Sequence, residues 1–210
     1  MMLILKNAAE NAGVDLSGKA YSWMQTYTGK KFYPFAPKIG DVDIEDIAHA
    51  LSLQCRYAGH CNNFYSVAQH SVLGVWLMDD ENELSSYQKL FLMHDAPEAY
   101  IGDMIRPMKV YSPAYKETEE AVNTVVMRAF DLPSEMPPLI KHYDNVMCTW
   151  EKKYLLPIAD ERHNMPDISN ISMTEQPIRS WTPVKAKNLF LETFDILFVK
   201  EMTIRDYYGG

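Results

Sequence analysis

From Asp43 onward the apolar residues of this chain recur three and four positions apart, the period of helices that each bury one side. Asp43, with Asp46 three residues on, opens a first helix whose stripe is Ile44, Ile47, Ala48, Leu51 and Cys55, and His49 falls off that stripe. Ser66 caps a second, which sets Val67, His70, Leu73, Gly74 and Leu77 on one face. A third runs from a Ser85-Ser86 cap through Leu90, Phe91 and Met93 to His94-Asp95, where Pro97 forces a kink or restart because it donates no hydrogen bond and clashes with the preceding turn. Residues 114–130 read as a fourth helix. A fifth follows Pro137-Pro138 to about Tyr154, with Ile140, Tyr143, Asp144, Met147 and Tyr154 sharing a face. Thr182 as cap and Pro183 at the first helical position start the last, whose Val184, Leu189, Phe190, Phe194 and Leu197 are expected to face inward. Ahead of all this, the aromatic and β-branched residues around Thr28-Gly29 predict a small hairpin, and the polar stretch 157–180 predicts a long loop.

The expected fold is therefore an all-α helical bundle with a small N-terminal β-hairpin, as one domain over 1–210. Its hairpin and arm cover 20–40, its core 44–150 and its closing helix 181–202.

Composition narrows the function. With 210 residues, 47% of them hydrophobic, the chain is long enough for one sizeable core. Its net charge of −8 argues against a nucleic-acid polymer or an anionic membrane as partner, since both need a basic face; small anions remain open through local cations. No apolar run reaches the ~18 residues of a membrane helix. The run from Met1 to Leu5 is shorter than the apolar stretch of about 7–15 residues a signal peptide needs. A cytoplasmic location is expected. Cys55, Cys61 and Cys148 cannot all pair and form no CxxC, which fits reduced thiols, and Cys55, His60 and Cys61 have no fourth ligand at finger spacing.

Four polar side chains fall where the pattern puts the core: His70 inward on one helix, His94-Asp95 at the break of the next, and Asp144 on the buried stripe of another. Each alone has an ordinary reading, His70 bonded to a backbone carbonyl and Asp144 paired with Lys141. Together they are costly to bury without a partner, and a divalent cation satisfies all four. Two imidazoles and two carboxylates suit zinc, manganese, cobalt or iron and suit calcium poorly.

The segments Arg56-Tyr57-Ala58-Gly59-His60, Tyr65-Ser66-Val67-Ala68-Gln69-His70-Ser71, His94-Asp95-Ala96-Pro97-Glu98-Ala99-Tyr100-Ile101-Gly102-Asp103 and Arg106-Pro107-Met108-Lys109 resemble the HD-domain metal-dependent phosphohydrolase superfamily. The likeness is nearest to bacterial 5′-deoxynucleotidases and phage dATP triphosphohydrolases. This resemblance implies an HD-domain bundle with His70, His94, Asp95 and Asp144 as ligands of a divalent ion (zinc, manganese, cobalt or magnesium), a second ion being left open. It implies Glu98 as the acid that assists water or protonates the leaving oxygen, and Asp103 as the residue reading a sugar 3′-hydroxyl. Arg56 and Lys109, with Arg106 beside them, are implied as the phosphate-holding cations. Tyr57 stands where the family often has a tryptophan against the deoxyribose, which leaves deoxy against ribo open. His60 touches substrate or caps its turn.

The activity so implied is hydrolysis of a (deoxy)nucleotide at its 5′ phosphate, as a nucleotidase or a dNTP triphosphohydrolase, in a chain that self-associates as a homo-oligomer. The alternatives are a phosphodiesterase for cyclic or signalling nucleotides and a non-catalytic, metal-containing nucleotide sensor. If a divalent ion cancels its two carboxylate ligands, Arg56, Arg106 and Lys109 against Glu98 and Asp103 leave the pocket near neutral or slightly positive.

Overall fold

A computed structural model describes residues 22–157 and 166–209; the run Met1 to Leu5, the first residues of the 20–40 arm and part of the stretch 157–180 lie outside them. The hairpin pairs β1 (Met24–Gln25) with β2 (Lys31–Phe32) antiparallel, Met24 opposite Phe32, around a turn in which Gly29 takes φ +85°. The helices are α1 (Ile44–Leu53), α2 (Val67–Asp80), α3 (Ser85–Met93), α4 (Glu98–Ile101), α5 (Arg106–Val110), α6 (Pro113–Ala129), α7 (Pro138–Leu155), α8 (Pro183–Phe194) and α9 (Ile204–Tyr208). The described residues are 61% helix and 3% strand, all-α with a small two-strand hairpin. Among the described residues no helix is long and apolar enough to cross a membrane.

The organising element is α2. Ser66 caps it as expected, its Oγ accepting the Gln69 N–H at 3.1 Å. The sequence pattern predicted one inward face, but Val67 to Val75 and Leu77 to Asp79 are all buried, because α1, α3, α7 and α8 surround the helix. Gly74 is what lets α3 approach: a Cβ there would lie 1.9 Å from the ring of the fully buried Phe91. The Gln69 amide ties the far chain to α2, donating to the Arg179 carbonyl at 2.8 Å and accepting the Trp181 N–H at 2.9 Å.

Several helix ends differ from the sequence expectation. Asp43 caps α1 by accepting the Glu45 N–H at 2.9 Å, whereas Asp46 turns away, is 3% exposed, and accepts the Thr28 N–H at 2.6 Å and the Thr28 hydroxyl at 2.9 Å. It holds the hairpin turn against α1. Asp46→Ala is therefore expected to cost about 2 kcal/mol, since a charged acceptor is lost and a partly buried N–H is left unmade; urea denaturation with an unchanged midpoint would contradict this. α1 stops at Leu53, so Cys55 lies off its stripe and instead forms an isolated bridge with Ser66. Leu84, not the Ser85-Ser86 pair, is the cap residue of α3, and no side chain caps it. Val184, expected inward, is 70% exposed, because Thr182 and Pro183 swing the first turn of α8 outward before Ala186 and Phe190 enter the core. The closing helix ends at Phe194 and continues only as a π-type turn over Asp195–Val199. His49, off the α1 stripe, stacks on the exposed ring of Tyr27.

Candidate metal centre

Pro97 shapes the centre. α3 ends at Met93 and α4 begins at Glu98, and the intervening residues form turns closed by Ala96 N–H to Met93 O (3.0 Å) and Glu98 N–H to Asp95 O (3.0 Å). His94 and Asp95, which a continuous helix would point about 100° apart, thus lie together beside α2. One ligand atom from each of His70, His94 and Asp95 lies within 4.8 Å of the others.

The protons on the two imidazoles follow from their partners. His94 Nδ1 lies 2.6 Å from the Phe91 carbonyl, which only accepts, so Nδ1 carries hydrogen. His70 Nδ1 lies 2.5 Å from Oε1 of Glu151, a carboxyl that Arg56 and His70 hold down to about 2 against the burial that would raise it. When the rings are neutral, the Nε2 of each is left with a bare lone pair. Both Nε2 atoms are buried and, among the described residues, have no hydrogen-bond partner. They face carboxylates: His94 Nε2 is 3.1 Å from Asp95 Oδ1, and His70 Nε2 is 3.8 Å from Asp95 Oδ2 and 3.7 Å from Asp144 Oδ1. Buried lone pairs aimed at carboxylate oxygens repel one another unless a cation lies among them. The donor set fits a divalent ion of borderline softness.

Asp144 stands at the edge of this group. Its Oδ2 is bonded to Lys141, and Arg106, which is 68% exposed, reaches to 3.9 Å. Although burial would raise it, positive charge on His94 and His70 when their rings are protonated, together with Lys141, holds the Asp144 carboxyl well below the usual carboxylate range.

Glu151, fully buried on α7, is the hub behind the centre. Besides His70, its oxygens accept the Tyr65 hydroxyl at 3.0 Å, the Tyr57 hydroxyl at 2.6 Å and Arg56 Nε at 3.2 Å. Burial pushes both phenols up, which keeps them protonated donors. Tyr57 and Ala58 adopt φ +57° and +51°, a left-handed conformation that costs non-glycine residues about 1–3 kcal/mol each and persists only where the surroundings impose it. The Glu151 contact with Tyr57 is one such constraint. Arg56 also donates from Nη1 to Asp95 Oδ2 at 3.3 Å and from Nη2 to the Cys148 sulfur at 3.8 Å. Since each terminal nitrogen has a second N–H, donors remain for an anion.

On the other side of Asp95, Glu98 is 5% exposed. Its Oε1 is 3.2 Å from Lys109 Nζ and its Oε2 is buried without a partner among the described residues. Lys109 is shared with Glu119 at the shorter distance of 2.6 Å. Burial, with Asp95 and Asp103 alongside, outweighs that shared cation and pushes the Glu98 carboxyl well above its ordinary range. Gln54 sets this segment in place, donating to the Glu98 carbonyl at 2.9 Å and accepting the Asp103 N–H at 2.9 Å. His94, Asp95, Glu98, Glu119, Asn123 and Met136 line a cleft of about 240 Å³. A larger surface depression, about 710 Å³ between α2 and α9, contains none of the residues of the centre.

The chain is 37% identical over 177 residues to the uncharacterized protein YfdR of Escherichia coli (strain K12), an alignment covering 84% of this chain and 96% of that protein. The chain belongs to the YfdR family. It is also 34% identical over 125 residues to the uncharacterized protein RCAP_rcc00048 of Rhodobacter capsulatus, covering 57% of this chain and 64% of that one. No family model matches it.

In this YfdR-family chain the helices bring His70, His94, Asp95, Asp144, Arg56, Tyr57, Glu98 and Lys109 to one region. His60 is different: its side chain is exposed, and its backbone N–H closes the turn on Tyr57 O at 3.0 Å. The near-neutral pocket expected from the sequence becomes more acidic, because Glu119 and Glu151 add carboxylates that the motifs did not include. Glu151 was nonetheless within reach of the helical pattern, lying four positions after Met147, itself three after Asp144, on one face of α7. Gln54 and Glu119 carried no such signal.

Proposed function

We propose that this protein is a metal-dependent phosphohydrolase that cleaves a (deoxy)nucleotide at its 5′ phosphate, in the cytoplasm. The observation that carries this reading is the pair of buried, bare Nε2 atoms of His70 and His94 converging on Asp95 and Asp144. The resemblance of the surrounding segments to HD-domain phosphohydrolases supports it. His70, His94 and Asp95, with Asp144 at the edge, would hold the ion. The chemistry a divalent ion supplies when bound is acidification of water toward neutral pH and withdrawal of charge from a phosphoryl oxygen.

The chain's own residues account for the rest. Arg56, packed against Asp95, offers its remaining N–H donors to phosphoryl oxygens in a fork that can grip two at once. Lys109 adds a point charge, tethered by Glu119. Glu98, whose carboxyl burial and its acidic neighbours push well above its ordinary range, is placed to hand a proton to the leaving 5′ oxygen. Asp103, anchored through its N–H by Gln54, is placed to accept from a sugar hydroxyl.

The test is incubation of the purified chain with manganese, cobalt or zinc and a panel of nucleoside and deoxynucleoside triphosphates and monophosphates. Nucleoside plus phosphate or triphosphate is the expected product. Asp95→Ala is expected to abolish it while leaving the helical circular dichroism unchanged. Turnover surviving that substitution at the wild-type rate would sink the proposed site, and tight nucleotide binding without product would favour a sensor.

A further inference from the structure

Glu151 has no part of its own in the proposed chemistry, yet it is fully buried and both its oxygens are engaged, Oε1 by His70 and Tyr65 and Oε2 by Arg56 and Tyr57. It therefore bonds one residue of the cation-holding group and one of the anion-holding group. We propose that Glu151 is a positioning residue that sets which nitrogen of His70 faces the ion while holding Arg56 beside Asp95. This rests on the metal-dependent reading above.

The chemistry of the four donors makes the role specific. A carboxylate accepts on both oxygens, so His70 must donate from Nδ1, and the neutral ring that a metal binds then presents Nε2 bare. An amide in the same place accepts on one atom and donates from the other. A guanidinium cannot accept, so the amide oxygen is obliged to face Arg56 Nε, and its NH2 then faces Tyr65 and His70. A hydroxyl can turn round to accept, and an imidazole can accept at Nδ1 by moving its proton to Nε2. Glu151→Gln thus satisfies every buried group while placing a hydrogen on the nitrogen that should meet the ion. The volume of the side chain and the packing of α7 are kept.

Two measurements test this. Binding of manganous ion alone, followed by the electron paramagnetic resonance of the free ion, is expected to weaken about 10–100-fold in Glu151→Gln, the usual effect of losing the partner of a ligating histidine. Nitrogen-15 spectra of the metal-free chains are expected to show the His70 proton on Nδ1, bonded to a carboxylate, in the wild type, and a proton on Nε2 in the variant. A merely structural role for Glu151 would not move that proton. Equal manganese affinity in wild type and variant overturns the role of Glu151 and leaves the metal reading intact. A wild-type chain that takes up no manganese overturns both. Should Glu151→Gln not fold, the wild-type spectrum still decides: no proton on His70 Nδ1 overturns the proposal.

Discussion

Manganese, cobalt or zinc, at a thousand times its dissociation constant, is expected to stabilise the native chain by about 4 kcal/mol. For a chain of this size that corresponds to a rise of roughly 10 °C in melting temperature. The physical source is the repulsion relieved when an ion enters between the bare Nε2 atoms of His70 and His94 and the oxygens of Asp95 and Asp144. An unfolded chain has no such preformed group, so the binding energy appears as folding energy. Calorimetry with and without a chelator measures it directly. His94→Ala is expected to remove most of the rise, since one of the two imidazoles is gone while Phe91 and the α3 end remain. A melting temperature that none of the three ions moves would count against a metal centre at this place.

The second large effect is expected at Gly74. Alanine is ordinarily favoured over glycine inside a helix by about 1 kcal/mol. Here its Cβ would lie 1.9 Å from Phe91 Cε1 and 2.5 Å from Cζ, and the Phe91 ring is fully buried, so it moves only by displacing its neighbours. Overpacking of this kind costs about 1–3 kcal/mol, more when the neighbour has nowhere to go. Gly74→Ala is therefore expected to lower stability by at least about 2 kcal/mol, against the helix-propensity trend. Phe91 also packs on His94, with ring centroids 4.6 Å apart, and on His70 at 5.8 Å, so a displaced ring shifts both imidazoles and lowers metal affinity as well. Phe91→Leu, which shortens the side chain, is expected to restore part of the loss in the double variant although it destabilises the wild type by leaving a void. Urea denaturation of the four chains reads the coupling; a Gly74→Ala chain as stable as the parent would show that α2 and α3 separate easily.

Local chemistry made much of the architecture legible. Ser66 and Thr182 cap the helices expected of them, and Pro97 breaks the chain between α3 and α4 beside His94-Asp95. These signals act within a turn of the residue that carries them. Asp46 shows where such reasoning fails: its spacing from Asp43 suits a cap, but the Thr28 N–H and hydroxyl, 18 residues away in sequence, are the better-placed donors. Val184 fails for a related reason, since a position in the first turn of a helix lies inward only if the preceding segment, here pinned by Gln69, leads it there.

At the centre the division is sharper. The residue types and their order along the chain determined that His70, His94-Asp95 and Asp144 would be polar groups on buried faces, because helical period and cost of burial are properties of sequence. Only the tertiary structure decided how they are wired. Glu151 bonds His70 and Arg56 from α7, and Glu119 shares Lys109 from α6. Each of these is a hydrogen bond or ion pair whose partners are chosen by distance and direction in space, quantities that no spacing along a chain encodes.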